Sequence, residues 1–125
     1  MSAKYKEIVE KVNAAFAEND MEGFLSFCAD EIEWTMVGEK HFKGKEAIRK
    51  WLDSMDMEPP TFTVDAVIAD GDSVASHGGM TMKEKDGKTV PFAYCDIYRF
   101  RNAKIVKLIS FVIKTEGKNE PASGA

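Results

Sequence analysis

The chain has 125 residues, which is enough for one domain with a hydrophobic core and too few for two ordinary domains. With 44% hydrophobic and 30% charged residues, its composition is that of a folded globular protein and excludes general disorder. The net charge of −4 comes without a basic stripe for nucleic acid, and no apolar run approaches the roughly 20 residues that span a bilayer, so we expect a cytoplasmic protein that binds neither nucleic acid nor membrane.

Two helices are predicted at the start of the chain. Over residues 4–18, apolar side chains recur at helical spacing while lysines and glutamates occupy the other side. Asn19 and Asp20 end this helix and can cap a second one over residues 21–29, which repeats the same period. Together the two segments predict a helical hairpin.

A strand and a third helix follow. The segment EIEWTMVG places Ile32, Trp34 and Met36 on one face and polar residues on the other, which is the alternation of a strand. After a loop that contains two glycines, KEAIRKWLDSM has apolar residues at helical spacing. This third helix is predicted to end before the Pro59-Pro60 pair, which cannot extend it.

The second half of the chain reads as strands throughout. Asp86-Gly87 is a strong hairpin signal, and turn residues also separate the other apolar runs. The tail from residue 117 to 125 is small and polar, so we expect one domain over residues 1–116 and a disordered C-terminal tail. The predicted strands cover residues 61–69, 73–85, 89–100 and 104–115.

This order of elements predicts an α+β domain. Three helices in the first half of the chain would pack on one face of an antiparallel sheet. Such a sheet can bend around the helices and leave a pocket between them, which is where a ligand would bind.

The segment PFAYCDIYRF raises the question of a buried acid. Successive side chains of a strand point to opposite faces, so Asp96 shares a face with Phe92, Tyr94, Tyr98 and Phe100. Burying four aromatic rings is worth far more than burying the other face, so we expect Asp96 to lie inward, where desolvation raises its pKa. The alternative is an outward face, with the acid in solvent or at an interface.

Neither cysteine pattern nor histidine spacing indicates a bound metal. Cys28 and Cys95 lie far apart without a CxxC spacing, and we interpret both as reduced core thiols. Because His41 and His77 are also far apart, and because no glycine-rich phosphate loop occurs, we expect no metal and no cofactor. We interpret His41 as a surface residue.

The element order, together with FCADEIEWTMVG, HFKGKEAIRKWL and CDIYRFRNAKIVKLISF, resembles the nuclear-transport-factor-2-like superfamily, and within it the ketosteroid-isomerase-like and SnoaL-like members. The resemblance covers residues 4–114. It implies a cystatin-like cone, in which a strongly bent antiparallel sheet wraps around the helices and encloses an apolar pocket. It also implies a homodimer formed through the sheet. Members include isomerases, cyclases and dehydratases as well as proteins without catalysis, so the fold does not decide the function.

Ketosteroid isomerase uses a helix tyrosine, an aspartate base on the first strand and an aspartic acid on the penultimate strand, and that last acid is a standard example of a carboxyl kept neutral by an apolar site. By this resemblance, Asp96 falls at the position of the oxyanion-binding acid. The helix tyrosine falls near Val12, and the base falls at Met36 or Thr35. None of these residues can abstract a proton, which disfavours the isomerase mechanism.

Two further residues are candidates for acid/base chemistry with Asp96. His77 falls by the same resemblance at a pocket-lining position, and it would form an acid/base pair with a nearby aspartate. The alternative for His77 is a structural histidine at a strand bend made by Gly78-Gly79. Tyr94 can supply a hydroxyl donor, although such tyrosines more often belong to the core. The residues expected to line the substrate site are Trp34, Thr35, Met36, Tyr98, Leu108, Ser110 and Val112.

Two function hypotheses follow. The first is a small-molecule-binding domain with an apolar pocket for a cyclic, mostly apolar organic ligand, which it would convert as an isomerase, cyclase or hydratase through Asp96 with His77 or Tyr94. The second is a ligand-binding or dimerisation module without catalysis, which the missing base and helix tyrosine favour. The sequence leaves open whether the protein is an enzyme.

Overall fold

The computed structural model describes residues 2–54, 61–84 and 86–115. The predicted Pro59-Pro60 helix stop, the end of the domain at residue 116 and the tail over 117–125 lie outside these residues. Within them the chain forms three helices and six strands: α1 (Ser2–Ala17), α2 (Met21–Ser26), β1 (Cys28–Met36), β2 (Lys40–Lys43), α3 (Lys45–Ser54), β3 (Thr61–Asp70), β4 (Ser73–Lys83), β5 (Thr89–Arg101) and β6 (Lys104–Lys114).

The junction between α1 and α2 follows the predicted capping chemistry. Asn19 adopts a left-handed conformation with φ of 56°, which ends α1. The side chain of Asp20 then accepts a 2.9 Å hydrogen bond from the backbone N–H of Gly23, so the first turn of α2 has its N-cap. The hairpin is therefore confirmed, but α2 ends at Ser26 and β1 begins at Cys28, earlier than predicted.

The sheet differs from the prediction in one pairing and in one strand. Its order is β2-β1-β6-β5-β4-β3, and the expectation of a purely antiparallel sheet is wrong because β1 and β6 pair in parallel. The edge strand β2 was predicted as loop, since its four residues are too few to show an alternation. It forms because Gly38, with φ of 82°, turns the chain back onto β1.

All three helices pack on one face of the sheet, which we call the inner face; the opposite side is the outer face. α1 contacts β3 and β4, and α3 contacts β1 and β2. The core between helices and sheet includes Val9, Phe24, Ile32 and Tyr98, each fully buried. The predicted α+β class is therefore confirmed. No helix among the described residues is long and apolar enough to cross a membrane.

β3 bends sharply opposite Gly78. The register of β3 against β4 shifts between Val64 and Ala66, which marks a β-bulge. The bulge brings the backbone carbonyl oxygen of Thr63 over Gly78, so close that a Cβ atom on Gly78 would lie 2.0 Å from it. Only glycine fits there, which explains the Gly-Gly pair that the sequence indicated as a bend.

Candidate functional site

Asp96 lies on the inner face of β5, among aromatic side chains. Tyr94, Tyr98 and Phe100 are buried on that face, whereas Arg99 on the other face is exposed. In the register of the sheet, Asp96 lies directly opposite Ser76 of β4 and Ser110 of β6, and both serines are buried. The acid therefore has a buried hydroxyl on the strand at each side.

One of these hydroxyls binds the carboxyl group. Burial raises the pKa of Asp96 to about 6, and a hydrogen bond from Ser110 opposes part of that rise. The Ser110 oxygen in turn accepts a 2.9 Å hydrogen bond from the indole Nε1–H of Trp34. Because Trp34 occupies the acceptor side of this oxygen, the hydroxyl proton is directed to Asp96. Trp34, Ser110 and Asp96 thus form an ordered relay across three strands.

The carboxyl group of Asp96 is desolvated although the residue as a whole is not fully buried. Surrounding atoms raise its pKa, and the residue has an intermediate exposed fraction. Asp96 therefore differs from the fully buried Tyr98 two residues later on the same face.

The second serine belongs to a separate hydrogen-bond chain. Asn13 of α1 donates from Nδ2 to Ser76 Oγ at 3.2 Å, and Ser76 hydrogen-bonds Tyr94. Tyr94 donates its own proton to the carbonyl oxygen of Thr63 at 3.0 Å. Burial raises the pKa of Tyr94, and its hydroxyl proton is committed to the β3 bulge. Tyr94 is therefore placed to hold the bend, and not to donate to a ligand.

Tyr98 is the other tyrosine beside Asp96. It is fully buried, and its hydroxyl is the one buried side-chain polar atom among the described residues that has no hydrogen-bond partner. Burial and the nearby Asp96 charge raise the pKa of Tyr98 well above its ordinary value. A buried hydroxyl without a partner is costly, so this atom lowers the stability of the fold, and because Tyr98 has no exposed surface the hydroxyl is closed to a ligand.

The expectation that His77 lines the pocket with Asp96 is wrong. Ser76, not His77, is the Cα partner of Asp96, and His77 pairs with Cys95. His77 therefore points to the outer face, where it is exposed. A one-residue difference in position moves a strand side chain to the opposite face, so His77 cannot form an acid/base pair with Asp96 in the same chain.

Thr35 also lies on the outer face, contrary to its predicted place in the substrate site. Its hydroxyl is 2.7 Å from Nδ1 of His41, and Nε2 of His41 is 3.5 Å from a carboxylate oxygen of Glu33. His41 is exposed, as expected for a surface residue.

The remaining predicted lining residues lie on the inner face. Met36 pairs with Ser110, and Trp34 pairs with Leu108, so the two β1 side chains flank the Asp96 row. Leu108 and Tyr98 are buried beside them, and Val112 lies farther out with 38% of its surface exposed. Among these residues Val112 is the most open to a ligand.

Neither of the missing isomerase residues is replaced at its own position. Val12 is fully buried in the core, and Met36 packs against it as an apolar side chain. The polar residue that α1 does present to the sheet is Asn13, one position after Val12. Sequence reasoning overlooked Asn13 and Ser76, although each is a polar residue at the buried period of its element, which is the signal that marks it.

A groove lies at the end of the sheet where β3 begins, β4 ends and β5 begins. It has a volume of about 270 Å³, and its lining includes Phe62, Met80 and Phe92. Among the residues that the structure describes, no three His, Cys, Asp or Glu side chains come together as a metal site.

The comparisons with known proteins identify a family and a fold. The model of the SnoaL-like domain family matches residues 9–108. No functionally curated protein matches the chain.

Solved structures are similar over most of the chain. An NTF2-like protein of unknown function from Cytophaga hutchinsonii is 27% identical, with a TM-score of 0.74 over 86% of this chain and 98% of that one. An NTF2-like protein from Burkholderia pseudomallei is 16% identical with a TM-score of 0.80, over 86% and 88%. A protein from Xanthomonas campestris pv. campestris, provisionally named a polyketide cyclase, is 16% identical with a TM-score of 0.79, over 88% and 90%. These similarities support the cone-like NTF2-like fold that the sequence resemblance implied.

Proposed function

The chain belongs to the SnoaL-like domain family, and from that premise we propose that it binds a small, mostly apolar organic molecule on the inner face of the sheet beside Asp96. The observation that carries the proposal is the setting of Asp96, an acid among aromatic residues whose pKa burial raises to about 6 although the residue is not fully buried. Its aromatic and aliphatic surroundings favour a cyclic ligand with few polar groups.

Binding is tested with a panel of flat aromatic and alicyclic compounds, followed by NMR. A ligand at this site shifts the indole Nε1–H signal of Trp34, because that proton is hydrogen-bonded to Ser110 within the Asp96 relay. Asp96→Asn should weaken the binding of phenols while leaving the fold intact. Asp70→Asn, which changes an exposed acid at the β3–β4 turn, is the matched control and should leave affinity unchanged. If no compound moves the Trp34 signal, or if both variants bind alike, the proposed site is wrong.

A second candidate function is proton transfer by the same carboxyl group. A pKa of about 6 is close to the operating pH, which is where a general base works best, so Asp96 would take a proton from a bound substrate and return it. Isomerisation, cyclisation and hydration are the reaction types that fit such a base. With His77 on the outer face and the proton of Tyr94 bound to Thr63, Asp96 would act alone as acid and base.

This catalytic function has its own readout. Cyclic ketones incubated with the protein in D₂O should exchange their acidic C–H protons, with a rate that rises through a pH near 6. Asp96→Asn should slow the exchange by roughly 10²–10⁴-fold, the usual contribution of a general base. Ligand binding without any exchange would leave the protein as a binding module, which is the rival hypothesis.

We also propose that two copies associate through the outer face. Exposed apolar side chains lie there at Ile68 (60% exposed), Phe111 (38%) and Ile113 (65%). Ile68 belongs to an apolar row that crosses four strands in register, which is more than scattered surface hydrophobics amount to. A second copy fits because the same sheet face can cover itself across a twofold axis. This row consists of Ile109, Ile97, Ala75 and Ile68.

Sedimentation equilibrium tests the association. Wild-type protein should behave as a dimer, and Ile113→Glu should shift it to monomer because a charge cannot be buried unpaired in such an interface. Val64→Glu, on the inner face with 41% exposure, is the control and should remain dimeric. A monomeric wild type at tens of micromolar, or equal dissociation of both variants, would refute this interface.

A further inference from the structure

Resting on the binding function proposed above, we propose that the ligand is an elongated amphiphile whose ammonium group pairs with Asp96. Its apolar body lies along the inner face towards the end of the sheet where β3 and β5 begin and β4 and β6 end.

The charge follows from what surrounds Asp96. The buried polar side chains of the described residues are Asn13, Ser76 and Ser110, and no Lys or Arg is among them. The influences on the pKa of Asp96 are burial and the Ser110 hydrogen bond, with no basic group contributing. Lys114, at the rim of this face, lies 3.8 Å from Glu84. A desolvated carboxylate without a counter-ion is unfavourable, and a cationic ligand would supply the missing charge.

The hydrogen-bonding capacity of the site points the same way. The protons of Tyr94 and Ser110 are already directed to Thr63 and Asp96. An anionic ligand would therefore find few free donors. What the site does offer is an acceptor, the carboxylate of Asp96, whereas the Tyr98 hydroxyl is fully buried and does not reach a ligand. An ammonium group brings three donors and no acceptor, which complements the carboxylate.

The apolar body has a continuous surface to lie on. Two rows of inner-face residues run outward from the Asp96 row, and their members on β3 and β6 are partly exposed although Tyr94 and Gly78 are buried. Tyr94 pairs with Gly78 and Val112 in the first row, and Phe92 pairs with Met80 in the second. Val112 is 38% exposed and Val64, on the neighbouring strand, is 41% exposed. We call the surface of Tyr94, Val112, Phe92, Met80 and Phe62 the apolar shelf.

Among the residues that the structure describes, α1 covers this side of the sheet, and it ends before it reaches the shelf. α1 contacts β4 through the hydrogen bond between Asn13 and Ser76 and then stops at Ala17, about one turn later. β4 continues beyond that point as far as Lys83, and β5 begins at the same end of the sheet, at Thr89. The strand ends therefore extend past α1.

Strand geometry sets the length of the ligand. From Asp96 to Phe92 is four residues, and at about 3.3 Å each they span about 13 Å, close to an extended chain of about ten carbon atoms. A longer apolar chain would pass the end of the shelf and gain nothing more from burial.

The titration of the site distinguishes this ligand from an oxyanion. The other titratable groups that interact with the charge of Asp96 are Tyr94, Tyr98 and, on the opposite face of β5, Cys95, and the pKa values of all three are raised. Between pH 5 and pH 8 Asp96 is therefore the group that changes charge. Amine binding needs the carboxylate, so it weakens as the pH falls below 6, whereas a phenolate or enolate held by the protonated acid would bind better there.

The test compares n-decylamine with n-decanol on the full chain, below their aggregation concentrations, at pH 7.5 and pH 5.0. At pH 7.5 the amine should bind at least tenfold more tightly than the alcohol. At pH 5.0 it should lose about tenfold, since only about a tenth of Asp96 remains ionised when its pKa is about 6. Asp96→Asn should bind both compounds equally at both pH values, and Asp70→Asn should behave as wild type.

Chain length tests the shelf. From butylamine to decylamine, affinity should rise about 3- to 4-fold per methylene, and it should level off beyond about ten carbons. Phe92→Ala should weaken decylamine and leave butylamine unchanged, because Phe92 lies about 13 Å along the strand from Asp96, beyond the reach of a four-carbon chain. Equal affinity for amine and alcohol would overturn the ammonium head, and a continued rise to tetradecylamine would overturn the shelf. In either case shifts of the Trp34 signal by neutral cyclic compounds would still support the binding function, and their absence would reject that function too.

Discussion

The hydroxyl group of Tyr94 donates a hydrogen bond to the carbonyl oxygen of Thr63 at 3.0 Å, whereas the hydroxyl of Tyr98 has no partner among the described residues. Two tyrosines on one face of one strand thus differ in whether the hydroxyl group is satisfied. Tyr94→Phe removes the hydrogen-bond partner of the bulge carbonyl and one of the two partners of Ser76, and should lower the free energy of unfolding by about 1–3 kcal/mol. Tyr98→Phe removes a buried hydroxyl without a bond and should raise it by about 1 kcal/mol. Urea unfolding measures both, and a loss of stability in Tyr98→Phe comparable to that in Tyr94→Phe would contradict the assignment.

The adjacent glycines of β4 should respond differently to alanine. A Cβ on Gly78 would meet the Thr63 backbone oxygen at 2.0 Å, and a backbone oxygen of a bulge cannot move aside cheaply. Gly78→Ala should therefore cost about 1–3 kcal/mol, the range for an overpacked core. A Cβ on Gly79 would meet its nearest atom, Thr63 Oγ1, at 3.7 Å, which is ordinary contact. Gly79→Ala should be close to neutral in thermal unfolding, and equal losses in the two variants would show that the bend does not need Gly78.

The titration of Asp96 makes stability depend on pH. Its pKa is raised from 3.8 in the unfolded chain to about 6 in the folded protein. As the pH rises from 3.8 to 6 the unfolded chain releases its proton first, so this residue favours folding below pH 3.8 and that contribution is lost by about pH 7. Over that window the loss is about 3 kcal/mol, because each pKa unit corresponds to about 1.4 kcal/mol.

The measurement is the difference in free energy of unfolding between wild type and Asp96→Asn at pH 4 and at pH 8. The asparagine variant should be the more stable at pH 8 by up to about 3 kcal/mol, and the two should converge at pH 4. Taking the difference removes the titration of other acids, such as Glu22, whose pKa is lowered by Arg49. A constant difference between the two pH values would mean that Asp96 is solvated.

The fold was largely predictable because its signals are local. Helical and strand periodicity, the Asp20 cap and the Asp86-Gly87 turn each act within a few residues, and each element they predicted is present. The parallel pairing of β1 with β6 was not predictable in this way, because it joins segments about 75 residues apart and depends on the packing of the helices between them. The short edge strand β2 was missed because four residues carry no clear period.

The sequence predicted the position of Asp96 correctly, but not which residues lie beside it. Asp96 stands out because an acid interrupts an aromatic face, and that pattern correctly put it on the inner face. His77 was misplaced because an alignment error of one residue reverses the face of a strand, and sequence spacing across a hairpin does not fix the register to one residue. Ser76, on the correct face, is a small residue with no chemical prominence of its own.

Ser110 should set the pKa of Asp96, whereas Ser76 should not. The Ser110 hydrogen bond lowers the pKa of Asp96, so Ser110→Ala should raise it above 6, and the unpaired Nε1–H of Trp34 should also cost stability. Ser76 is equally adjacent through its Cα, but its hydrogen bonds go to Asn13 and Tyr94. Ser76→Ala should therefore destabilise the protein while leaving the pKa of Asp96 near 6. A carboxyl ¹³C NMR titration of Asp96 in both variants decides the matter, since equal shifts would mean that both hydroxyls bind the acid and that the two hydrogen-bond chains are one.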